Sequence, residues 1–210
     1  MVKILGICGS PRKAASEYAL TQALEAAAGV GGVGGVETDM IELRGKTINF
    51  CIHCDKCLRD GADRCTLHHD DMSDFYDRFY FADGYIVSSP VYDMAIPGQL
   101  VTFFNRFRAN YTLLKANPDY FMRKAGGAIA VGGTRNGGQE SAIKVIHDFY
   151  NTMGMTVVNG SMAGYAGASI WSRDRKAEGA AEDEFGIANA RALGHKVAQT
   201  AILLAGGGPA

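Results

Sequence analysis

A doubly wound α/β fold on a five-stranded parallel sheet, in the order 2-1-3-4-5 with a cysteine-rich insertion after strand two, is the class this sequence predicts. Three observations carry it. Short apolar runs alternate with stretches of helical period along most of the chain. Polar, glycine-containing loops follow the first, third and fourth runs, at the strand ends where an open parallel sheet gathers its ligands. A length of 210 residues suits one domain that buries a core without a disulfide or metal staple.

Residues 2–7 form an apolar run interrupted only by Lys3 and Gly6, the pattern of a strand covered on both faces. Gly9, Ser10 and Pro11 punctuate it, and a helical pattern starts at Ser16 and runs through Leu20, Ala23, Leu24 and Ala27. Residues 29–35 are a glycine-rich link too short to separate one domain from another, and 36–43 read as strand two. Residues 46–69 have no clean period and hold four cysteines. Asp70 and Asp71 read as the start of a helix to about Ala82, their charges complementing its dipole.

Strand three is read at 85–89, ending at Pro90, and Pro97 takes the first position of a helix toward Arg108. Residues 125–131 read as strand four, 139–153 as a helix and 156–158 as a short strand five. Little pattern follows over 160–180 before a last helix at about 182–204. The domain is thus expected over 1–205, with 206–210 a flexible tail. Tyr76, Phe79, Tyr80 and Phe81 make an aromatic stripe best read as core, and second as a dimer face.

The formal net charge is −1, which gives neither nucleic acid nor an anionic membrane a reason to bind. No run approaches the roughly 18 apolar residues that cross a bilayer, and nothing resembles a signal peptide. A cytoplasmic, reducing location is therefore expected. There the five cysteines act as ligands, redox groups or core residues and not as disulfides.

The first loop, Gly9-Ser10-Pro11-Arg12-Lys13-Ala14-Ala15-Ser16, leads from a strand into a helix, whose unpaired N–H groups and dipole suit a phosphate. Ser10 and Ser16 add hydroxyls, and Arg12 and Lys13 add charge. The loop has neither triphosphate nor dinucleotide spacing, so a monophosphate such as that of FMN fits better. The alternative is an ordinary turn with Ser16 as N-cap. In the second loop, Ser89, Pro90, Val91, Tyr92 and Asp93 offer a stiff backbone and a flat aromatic wall for an isoalloxazine ring. Packing alone would also explain Tyr92. In the third, Gly133 and Gly138 allow close backbone approach while Thr134 and Arg135 supply donors.

Cys51-x2-Cys54-x2-Cys57-x7-Cys65 is the most specific feature. Three thiolates on one tight loop and a fourth returning suit the corners of a cubane cluster. His53, His68 and His69 leave a mixed zinc site open, and free thiols are the third reading. Cys8 reads as a packing residue. His53 and Asp55 are candidates for relaying protons.

Gly-Ser-Pro-Arg-Lys after strand one, Ser-Pro-Val-Tyr after strand three and Gly-Gly-Thr-Arg-Asn-Gly-Gly-Gln-Glu after strand four resemble the NADPH-dependent FMN reductase-like proteins of flavodoxin-like fold, and among them the iron-sulfur flavoproteins. The resemblance covers the chain to about Met155. It implies FMN phosphate on Ser10, Arg12 and Ser16, and the isoalloxazine near Pro90, Val91, Tyr92, Thr134 and Gly138. It further implies a [4Fe-4S] cluster on Cys51, Cys54, Cys57 and Cys65, and a homodimer or homotetramer with flavin near a subunit interface. Ala15-Ser16-Glu17 stands where such loops often carry Gly-Asn-Thr, so Glu17 has to point away from the phosphate.

The function expected is a flavin-dependent oxidoreductase passing electrons between a [4Fe-4S] cluster and FMN to a small-molecule or protein acceptor. The flavin carries the chemistry, no catalytic acid or base is assigned, and NAD(P)H or reduced ferredoxin is the donor. A cluster-free NAD(P)H-dependent FMN or quinone reductase and a non-enzymatic flavin- or zinc-binding regulator are the alternatives.

Overall fold

The apolar run after Met1 forms β1 (Val2–Cys8), which pairs in parallel with β2 (Val36–Glu42) on one side and β3 (Gly84–Pro90) on the other. This is a computed structural model, and it describes residues 1–31 and 35–206. β4 (Ala125–Gly132) pairs with β3, and β5 (Thr156–Val157) with β4, so the parallel order is β2-β1-β3-β4-β5 as the sequence predicts.

β6 (Ala168–Trp171) also pairs with β4. β5 lies against Ala125 and Gly126 and β6 against Ile129 to Gly132, so two short pieces share the fifth position. The stretch 160–180 therefore holds a strand, and also a short helix, α7 (Lys176–Ala181), where the sequence shows no pattern. A four-residue strand shows only two inward side chains, here Ala168 and Ile170, too few to define a period.

Alternation along β1 builds two cores. Leu5 and Ile7 face one layer with α3 (Ser73–Tyr80), α4 (Gly98–Asn105) and α6 (Gln139–Met153). Val2, Ile4 and Cys8 face the other, with α1 (Ala15–Ala28) and α8 (Glu184–Leu204). Between α1 and α8 the approach is so close that a Cβ on Gly194 would collide with the Ala23 carbonyl. In the first core Phe79 lies 4.1 Å from Phe107 and 4.6 Å from Tyr85, centroid to centroid. Tyr76, Phe79 and Tyr80 are buried as the stripe predicts, whereas Phe81 is exposed.

Two boundaries differ from the sequence reading. The third helix begins at Ser73, after the two aspartates. The helix after Pro97 stops at Asn105, tightens into a 3-10 turn over Arg106–Ala109 and resumes as α5 (Asn110–Ala116). Among the described residues no helix is long and apolar enough to cross a membrane. The expected tail, beyond Gly206, and the middle of the 29–35 link lie outside the described residues.

Candidate functional site

Parallel register brings four loops to one edge of the sheet. Cys8 stands beside Ser88, Pro90 beside Val131 and Gly132 beside Trp171, so the loops beginning at 9, 91, 133 and 172 leave the same side. In the first, the Ser10 hydroxyl donates to the Arg12 carbonyl (2.8 Å) and accepts from the Arg12 N–H (3.1 Å). Ser10 is buried and shapes the loop. No side chain caps α1 at Ala14, which leaves its first N–H groups for an anion.

Ser16 is not the N-cap. It lies buried in the first turn, where its carbonyl accepts from the Ser88 hydroxyl at 2.8 Å. Arg12 and Lys13 are exposed. The Lys13 ammonium lies 3.5 Å from the Glu17 carboxylate, so the acidic side chain that would repel a phosphate has a cation beside it.

In the second loop Tyr92 and Ala95 exchange backbone hydrogen bonds of 2.9 Å each. The two residues between them, Asp93 (φ 49°) and Met94 (φ 65°), are both left-handed, a turn geometry that normally asks for Asn-Gly. Holding it costs on the order of 1 kcal/mol per residue. Ser89 donates its hydroxyl to the Pro90 carbonyl at 2.8 Å and is buried, while Tyr92 and Asp93 are exposed.

The third loop meets the second at Gly138, whose φ is +98° and where a Cβ would lie 2.7 Å from the Met94 Cα. The buried Gln139 side chain braces it, donating to the Thr134 carbonyl (2.7 Å) and accepting from the Gly137 N–H (2.8 Å). Gly133 is half-buried, while Thr134 and Arg135 remain exposed. The fourth loop is one that sequence reasoning misses. Trp171 donates its indole N–H to the Gly133 carbonyl (2.8 Å), and the guanidinium groups of Arg135 (4.5 Å) and Arg173 (4.3 Å) lie over its ring. A single tryptophan beside Arg173 and Arg175 is the signal available for it.

The cysteine loop is fastened at its base. The Asp71 carboxylate accepts from the Thr47 N–H at 2.7 Å. The Asp70 carboxylate accepts from the Asn49 N–H (2.8 Å), the Asn49 amide (3.0 Å) and Arg106 Nη1 (2.6 Å). Their role as caps of α3 is only part of it: Asp70 accepts from the N–H of Met72 at the helix start (3.2 Å), and both aspartates also close the loop. The side chains of Arg106 and Asp70 are each 2 % exposed. Burial pushes the Asp70 carboxyl up, but the hydrogen bonds from Arg106 and Asn49 outweigh it and bring the pKa to about 2.

Between the fastenings, His53 (φ 54°) and Asp55 (φ 53°) turn left-handed, and a one-turn helix, α2 (Lys56–Arg59), carries Cys57. All four cysteines line one small cavity, together with His68 and Arg106. Burial raises the Cys57 thiol pKa, and the like charges of Cys65, Cys51 and Cys54 add to it. Among the described residues no three His, Cys, Asp or Glu side chains group tightly enough to hold one metal ion. Among the described residues three buried side-chain nitrogens lack a partner, and two of them, His68 Nε2 and Arg106 Nε, belong to residues of this cavity. Cys8 is not a member; it is buried beside the sheet, which pushes its thiol up to about 11. Asp55 is paired with Arg108 at 3.1 Å and is not a free proton relay.

A larger cavity of about 570 Å³ adjoins both loops. Phe104, Phe107, Tyr111 and Phe149 line it, with Cys51 from the cysteine loop and Ile96 from the second loop.

The family model described as NADPH-dependent FMN reductase matches residues 2–168. An iron-sulfur flavoprotein of Methanocaldococcus jannaschii is 42% identical over 188 residues, 89% of this chain and 90% of that protein. Among solved structures, a flavone reductase superposes with a TM-score of 0.67 at 20% identity, over 95% of this chain and 63% of that longer one. A flavodoxin, WrbA-like protein from Agrobacterium tumefaciens does so with a TM-score of 0.61 at 14% identity, over 97% of this chain and 99% of the other.

Proposed function

The chain belongs to the NADPH-dependent FMN reductase family, with iron-sulfur flavoproteins among its relatives and a flavodoxin-like fold, and we propose that it relays electrons between a [4Fe-4S] cluster and FMN to a small-molecule or protein acceptor. One observation supports the reading: Cys51 of the four-cysteine loop and Ile96 of the second loop line the same cavity.

The donor set supports a cluster over a single zinc ion. A cubane gives each thiolate its own iron, so four thiols around a cavity need not converge on one point. For the flavin, the uncapped start of α1 and the Ser10 loop would hold the phosphate, with Arg12 supplying charge. Pro90, Val91, Tyr92, Gly133, Thr134, Arg135 and Gly138 would bound the ring system. When bound, the flavin supplies one- or two-electron chemistry and the cluster one-electron chemistry. Trp171, with Arg135 and Arg173 against its ring, holds the Gly133 backbone in place where it would border the flavin.

The acceptor is assigned to the 570 Å³ cavity, a size and aromatic lining that suit a small organic molecule. NAD(P)H or reduced ferredoxin is the donor, the location cytoplasmic and the assembly a homodimer or homotetramer without nucleic acid or membrane. Protein purified without oxygen and assayed for iron, sulfide, zinc and flavin tests the core of this reading. About four irons and one FMN per chain are expected, with Cys57→Ser losing iron while keeping flavin. Flavin without iron or zinc would point to the cluster-free reductase, and zinc without iron to the regulator. Rapid mixing with NADPH and with reduced ferredoxin then separates the donors.

A further inference from the structure

The cysteine cavity is incomplete as a set of protein contacts. Arg106 Nη1 is committed to the Asn49 carbonyl (2.9 Å) and to Asp70, yet Nε of the same group has no acceptor. A guanidinium is a rigid plane, so anchoring Nη1 fixes where Nε–H points. Leaving a buried N–H unpaired is unfavourable, because it has given up water without gaining an acceptor. His68 Nε2 lacks a partner at the same cavity. Asp55, the carboxylate that lines it, is taken by Arg108. The four cysteine sulfurs line the same cavity as these two unpartnered nitrogens.

We propose that Arg106 Nε–H and His68 Nε2–H donate to sulfur of the cluster, and that the buried Arg106–Asp70 pair sets its reduction potential. This rests on the cluster reading above. Arg106 cannot be deprotonated in a protein, so it is a fixed positive charge beside a group that becomes more negative on accepting an electron. Asp70 bonds Arg106 at 2.6 Å without lining the cavity itself, and offsets some of that charge. The pair therefore acts on the cavity as a dipole with its positive end inward, while Arg108 is balanced by Asp55.

Opposite signs follow from the two halves. Asp70→Asn leaves Arg106 uncompensated, which favours the reduced cluster and moves the midpoint to more positive potential. The double variant Arg106→Met with Asp70→Asn removes both charges and moves it to more negative potential. Each change is expected to be roughly tenfold in the one-electron equilibrium, about 59 mV. His68→Leu shifts the midpoint negative, and Arg106→Lys, which keeps the charge, stays nearer to the parent than the double variant.

The test is a titration of anaerobically purified protein with dithionite and ferricyanide, the reduced cluster followed by electron paramagnetic resonance and iron and sulfide assayed on each sample. A purely structural role would move Asp70→Asn and the double variant in the same direction, or move neither. Either result, with iron and sulfide retained, overturns the assignment alone. Should the double variant lose its iron, His68→Leu and Arg106→Lys decide it on a loop whose Asp70 remains in place. Parent protein without iron and sulfide would overturn the cluster reading, and the assignment with it.

Discussion

Asp70→Asn is the sharpest perturbation of the fastening beneath the cysteine loop. The carboxylate accepts from Asn49 twice and from Met72 and Arg106 once each, with both partner side chains of the ion pair 2 % exposed. Its pKa of about 2, against 3.8 for an ordinary aspartate, corresponds to on the order of 2 kcal/mol of folded-state preference for the charged form. The variant also leaves the Arg106 charge buried without its counter-ion, and breaking such a pair costs about 3–5 kcal/mol in general. We expect a loss of about 3 kcal/mol at pH 7. Because the folded pKa is depressed, the carboxylate's contribution is fully present above the unfolded value of 3.8 and is lost as pH falls through about 2.

Urea unfolding at pH 7, and again toward pH 2, measures the difference from the parent. Hydrogen exchange adds a local readout: the Asn49 amide should lose protection while the Thr47 amide, held by Asp71, keeps it. A difference below about 0.5 kcal/mol at pH 7, the size of an ordinary surface substitution, would refute the reasoning. So would a difference that does not shrink in acid.

At the contact between the second and third loops, Gly138→Ala puts a side chain on a left-handed residue and against Met94, so the flavin-to-protein absorbance ratio should fall and stability drop by about 1–3 kcal/mol. An unchanged ratio and melting temperature would show that the loops can separate freely. Trp171, the one tryptophan of the chain, is tied to Gly133, and its fluorescence should rise when flavin is removed. Emission identical with and without flavin would place the cofactor elsewhere. Gly194→Val forces α1 and α8 apart and should cost about 3 kcal/mol, read as a fall in Tm of roughly 6–12 °C; a smaller change would mean that the Ala23 backbone yields.

What was legible in the sequence is what local chemistry decides. β1 and β4 could be read because a strand buried on both faces is apolar at nearly every position. The loops after β1, β3 and β4 could be placed because glycine and proline punctuate them, and the four cysteines announced a shared role by spacing alone. Tertiary structure alone decided what depends on groups far apart in the chain. Asp70 looked like no more than a cap until Arg106, 36 residues on, was folded against it. Trp171 had no role until β6 laid it beside Gly133, 38 residues earlier. Side-chain periodicity records which face of an element is buried. It carries no record of which distant donor will meet which acceptor, because that pairing is set only when the layers pack.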